Sequence, residues 1–126
     1  MKIFIASLCL FVLIVSCTIV YYHWFNARTE FYQASLGSIY DQIDQEDYAS
    51  ASKSLHDLFG MFEKEDRILS LFIHHCEMHD TLSMMGRLKV YIAECERVDA
   101  LSETNAIIQH IKNINKNEQP TLANIF

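Results

Sequence analysis

Residues Ile3 to Phe25 form a nearly unbroken apolar run, IFIASLCLFVLIVSCTIVYYHWF, interrupted by nothing more polar than Ser7, Ser16 and Thr18 until His23. At 1.5 Å per residue its 23 residues make a helix of roughly 34 Å, enough to cross a hydrocarbon core of about 30 Å. Tyr21, Tyr22 and Trp24 gather at one end, where amphipathic rings prefer the headgroup layer. A cleaved secretory signal has an apolar core of only about 7–15 residues and a small-x-small exit; this run is longer and ends in bulky rings. The stretch Ile14-Val15-Ser16-Cys17 has the pattern of a bacterial lipobox, which makes Cys17 a candidate for lipidation. Thr18 to Tyr22 continue the membrane-compatible run where a lipoprotein carries a polar tether. Length therefore favours a retained transmembrane helix, residues 1–25, over a lipoprotein anchored at Cys17. Lys2 and the terminal amine precede it, Arg28 stands just after it and a long acidic portion follows, a balance that favours a cytoplasmic N-terminus and an extracytoplasmic domain.

The remaining residues, 26–126, are enough for one domain. Only 3 glycines and 1 proline occur, and Pro120 stands almost at the end, so the chain lacks the punctuation that a β-rich fold requires. The formal charge is −6. Setting Lys2 aside leaves 9 basic against 16 acidic residues, a field that repels nucleic acid and anionic headgroups. No nucleic-acid partner is expected.

Apolar residues recur at helical spacing throughout this portion. Phe31, Ser35, Ile39 and Ile43, widened by Leu36 and Tyr40, predict a first aqueous helix continuing directly from the membrane span. Tyr48, Ala51, Leu55, Leu58, Phe59 and Phe62 predict a second, with Asp47 as its cap. The charged cluster Glu63 to Arg67 reads as a junction before a third segment ending near Glu94, as one helix or as two with a break near Cys76 to His79. A fourth starts at Asp99 and turns Leu101, Ile107, Ile108 and Ile111 inward. Leu122, Ile125 and Phe126 are expected to pin an extended tail to the bundle. No repeat of fixed period is evident. Each stripe needs a partner in water, and short loops make neighbouring helices antiparallel. The fold class is all-α: an N-terminal transmembrane helix continuing into an antiparallel three- to four-helix bundle.

The stretch Leu71-Phe72-Ile73-His74-His75-Cys76-Glu77-Met78, the later Arg87-Leu88-Lys89-Val90-Tyr91-Ile92, the aromatic start of the second helix after acidic residues and the ending Asn124-Ile125-Phe126 resemble DUF4363, a family of small membrane-anchored proteins of clostridia and related bacteria. The resemblance covers nearly the whole chain and places His75, Glu77 and Arg87 on its motif positions. Tyr48 and Phe62 stand where tryptophans are typical, and Cys76 where an acidic residue is common. The resemblance implies a helical membrane-anchored fold and no activity.

Metal-ligand residue types crowd together only in His74-His75-Cys76-Glu77-Met78-His79-Asp80. On a helix His75 and His79 share a face, as do Cys76 and Asp80, so a zinc site is geometrically open there if another helix completes it. The competing reading makes His75 a hydrogen-bonded core histidine, and it is preferred because structural zinc sites announce themselves by paired, close-spaced ligands. His75 and Glu77 point to different faces, and a nucleophilic Cys76 or Cys95 would need a base in a cleft, whereas a small bundle with no glycine-rich loop offers little cavity. No cofactor and no catalysis are expected. The expected role is a non-enzymatic module that contacts membrane lipid through its helix and meets a protein partner or a copy of itself; the alternative is a metal- or ligand-sensing extracytoplasmic domain centred on His75 and His79.

Overall fold

The first helix does not stop where the apolar run ends. In the computed structural model, which describes residues 1–69 and 75–118, α1 spans Lys2–Asp44, 43 residues without a break, or roughly 65 Å. It is followed by α2 (Tyr48–Leu69), α3 (His75–Ala93) and α4 (Arg97–Glu118). No strand occurs among the described residues. The side chains of Asp66, Ile68, Leu69, His75, Cys76, Asn115, Asn117 and Glu118 fall outside the description, as does the tail containing Leu122, Ile125 and Phe126.

The C-terminal half of α1 packs with the other helices in a four-membered ring, α1 on α2, α2 on α3, α3 on α4 and α4 on α1. The core is aliphatic and aromatic: Phe25, Tyr32, Leu36, Ile39 and Ile43 from α1 meet Leu55, Leu58 and Phe62 from α2, Met78, Met85, Leu88 and Ile92 from α3, and Ile107, Ile111 and Ile114 from α4. Each such side chain contributes on the order of 2 kcal/mol by leaving water. Two short links make the hairpins. Helix α1 ends in a Schellman motif in which Asp47 N–H donates to Gln42 O at 2.8 Å and Glu46 N–H to Ile43 O at 2.9 Å. At the end of α3 the same pair recurs, from Glu96 to Tyr91 O at 2.9 Å and from Cys95 to Ile92 O at 3.1 Å. Both motifs hold their central residue left-handed, Glu46 at φ 60° and Cys95 at φ 55°. Asp47 caps α2 by accepting from Ser50 N–H at 3.3 Å.

These links expose a repeat of burial, 49 residues long. Helices α2 and α4 start at 48 and 97 and end at 69 and 118; Asp44 and Ala93 close the helices before them. The buried positions 29, 32, 36, 39 and 43 of α1 recur as 78, 81, 85, 88 and 92 of α3, and 51, 55, 58, 62 and 65 of α2 recur as 100, 104, 107, 111 and 114 of α4. The bundle is thus two copies of one helical hairpin, 26–69 and 75–118. The first 24 residues of α1 have no counterpart.

Several expectations are corrected. Of the expected α1 stripe, Leu36, Ile39 and Ile43 are buried, but the stripe continues through Tyr32 and Thr29, and Phe31 and Tyr40 are exposed. Glu63 to Arg67 is not a junction: α2 continues through it and buries Glu65. Cys76 to His79 are not a break but the opening of α3, and Asp99 lies inside the first turn of α4. The absence of a fixed-period repeat fails because the matches lie in burial more than in residue identity.

Candidate functional site at the end of the apolar segment

Along α1 the environment changes within one turn. From Lys2 to Val20 every residue is exposed, and none of the most apolar window is buried within the fold. Tyr21 and Trp24 then lean on the core and Phe25 is buried within it. The Tyr21 ring stacks on Phe25 at 5.9 Å and tilts against Trp24 at 6.2 Å, so the aromatic collar at the end of the apolar run is also the floor of the bundle.

Immediately above this floor sits the buried polar cluster. Glu65 of α2 accepts a hydrogen bond from the Tyr32 hydroxyl and pairs with Arg28. Arg28 and Tyr32 are four residues apart on α1, hence on one face, and Glu65 continues the stripe 51, 55, 58, 62 of α2. The Tyr32 ring meets Phe62 edge-on at 5.4 Å. Burial pushes the Tyr32 phenol up to about 12, with the Arg28 guanidinium pulling it partway back. Arg28 keeps its Nε without a hydrogen bond. The adjoining cavity, about 20 Å³ and lined by Phe25, Tyr32, Phe62, Met78 and Ile111 among others, has room for one water at most and an apolar wall. The cluster is a clamp: it ties α2 to α1 just above the apolar segment. In the sequence Tyr32 and Glu65 are marked only by the 3-4 continuation of each buried stripe.

No curated protein and no solved structure matches the chain. A family model does, the domain of unknown function DUF4363, over residues 19–125. The chain belongs to the DUF4363 family. In this DUF4363 chain Glu77 and Arg87 of α3, expected on motif positions, both contact α4. Arg87 Nη2 pairs with Glu103 at 3.1 Å and its Nε donates to the same carboxylate at 3.2 Å. The Glu77 carbonyl accepts from Thr81 at 2.8 Å and from His110 Nε2 at 3.3 Å, while its Oε2 has no hydrogen-bond partner. His75 and Cys76 begin α3, with side chains outside the described residues, and His79 is exposed one turn later. Among the described residues no three of His, Cys, Asp and Glu come close enough to hold a metal ion. Cys17 lies exposed in the middle of the apolar half of α1, and Cys95 is exposed at the turn before α4.

At the far end of the bundle Arg97 reaches back to Asp44, pairing with its carboxylate and approaching its carbonyl, so the start of α4 is held to the end of α1. Of the open grooves along the sides, the two widest among the described residues lie on opposite faces of the ring. One, between α2 and α3, holds about 600 Å³ and is lined by Lys53, His56, Phe59, Met85, Gly86 and Lys89 among others. The other, between α1 and α4, holds about 540 Å³ and is lined by Gly37, Tyr40, Asp41, Asn105 and Ile108 among others.

Proposed function

We propose that this chain is a membrane-anchored, non-enzymatic helical module that holds a protein-binding surface at a fixed distance from a bilayer. The observation carrying this reading is the unbroken α1: the same helix that leaves 2–20 exposed supplies one quarter of the bundle core. Nineteen consecutive exposed and largely apolar residues are costly in water and favourable in lipid. A helix without a hinge transmits the anchor's position to the bundle, and the Arg28–Glu65–Tyr32 clamp fixes the first hairpin at the same point.

The anchor is retained in this reading, because continuity past Cys17 into the bundle is what gives the collar Tyr21, Trp24 and Phe25 its two roles. In this reading the bundle is extracytoplasmic, which Lys2 and the terminal amine before the span support. At the junction Glu65 engages both Arg28 and Tyr32, and the enclosed space beside them, about 20 Å³, is too small for a substrate. Crosslinking in intact cells followed by purification of the full chain tests the reading. Adducts heavier than the monomer are expected; recovery of monomer alone at all crosslinker doses overturns it.

A further inference from the structure

Resting on the reading of the domain as an anchored interaction module, we propose that its partner is a second copy of this chain, the α2/α3 groove of one copy docking on the α1/α4 groove of the next to give an open row along the membrane.

The two grooves occupy one position in the repeat. Gly86 and Lys89 of the first correspond by 49 residues to Gly37 and Tyr40 of the second, and His56 and Phe59 to Asn105 and Ile108. They therefore lie at the same height above the bilayer, and on opposite sides of the four-membered ring. Copies held by the same anchor in one bilayer stand parallel and at equal height, so each groove of one copy meets the other groove of its neighbour with no tilt or shift.

Chemistry separates what the repeat equates. The α2/α3 groove presents Lys53, His56 and Lys89 and no carboxylate; the α1/α4 groove presents Asp41 and no cation. One turn nearer the bilayer the signs reverse, since Glu63 continues the α2 row and its counterpart Lys112 continues the α4 row, both exposed. None of Lys53, Lys89, Asp41, Glu63 and Lys112 belongs to an ion pair among the described residues, whereas Arg28, Arg87 and Arg97 all do. The partly exposed Tyr40 ring faces the neighbour's groove, whose apolar lining includes Phe59 and Met85. Exposed charge pairs add little affinity each but choose the partner and its register. Confinement of all copies to one plane supplies the effective concentration that such a weak contact requires. Because the two surfaces differ and face opposite ways, the contact is heterologous and does not close on itself.

The test uses full chains carrying one fluorophore each, reconstituted in vesicles of neutral lipid at low density and counted by photobleaching steps. The wild type is expected to show assemblies with a broad distribution extending beyond two. Lys53→Glu with Lys89→Glu makes both grooves acidic, and Asp41→Lys makes both basic; each variant alone is expected to count as single chains. Mixed together, their charges again complement and the assemblies return as alternating rows. Circular dichroism matching the wild type checks that each exposed substitution leaves the fold intact. Single chains in the wild type, a distribution ending at two, variants that assemble like the wild type, or a mixture that stays single each overturn the proposal. Single chains in vesicles together with adducts in cells overturn self-association while keeping the interaction module; single chains with no adducts overturn both.

Discussion

The two hairpins, 26–69 and 75–118, bury the same positions and are built from different chemistry. Where the first has Tyr32 and Glu65, the second has Thr81 and Ile114; Arg28 of the first corresponds to Glu77 of the second, whose Oε2 has no hydrogen-bond partner among the described residues. Both end their leading helix in the same Schellman link. The hairpin geometry thus depends on the spacing of buried positions, which tolerates a hydroxyl or a carboxylate provided its hydrogen bonds are made. Residue identity is left free to distinguish the two faces of the molecule, and only the first hairpin is extended by an apolar helix.

If the hairpins are equivalent in packing, truncation at matched core positions costs alike. Ile39→Ala and Leu88→Ala, both at fully buried sites, are each expected to destabilise the bundle by about 2–5 kcal/mol, read from urea denaturation in detergent. The same change at the exposed Ile5 is expected to leave that transition in place. A large cost in one hairpin only would break the equivalence.

The polar clamp separates them in pH. The Tyr32 phenol titrates at about 12 in the fold, above its ordinary 10.0, so between those values the folded chain holds a proton that the unfolded chain has released. Its contribution is complete below pH 10 and is lost as pH rises toward 12, on the order of 2 kcal/mol in all. Tyr32→Phe is expected to remove that component of the alkaline loss, measured by denaturation at pH 9 and pH 11; an unchanged loss contradicts the buried phenol.

The smallest effect restores the comparison. Glu46 and Cys95 adopt left-handed backbone that glycine occupies without penalty. Glu46→Gly and Cys95→Gly are each expected to stabilise by about 0.5–1 kcal/mol in thermal melts, and opposite signs at the two links would show that they are not the same turn.

Helix content was legible because Ala51, Leu55, Leu58 and Phe62 keep strict 3-4 spacing. The inner face of α1 is legible at Leu36, Ile39 and Ile43 and not at its lower end: counting from Phe31 passes over Thr29, a polar residue whose hydroxyl is satisfied by the Asn26 carbonyl at 2.9 Å. Glu65 was hidden by its charge inside a charged cluster, since only the partners Arg28 and Tyr32, more than thirty residues away, make its burial tolerable. The repeat is not legible in the sequence because residue identity coincides only at Gly37 with Gly86, Ile43 with Ile92 and Ala51 with Ala100.

Alkaline carbonate extraction of membranes containing the full chain, with the mass of the recovered polypeptide, tests the anchored bundle most directly. The chain is expected in the pellet with residues 1–25 attached and Cys17 unmodified. An intact, unprocessed chain released into the supernatant would contradict the account.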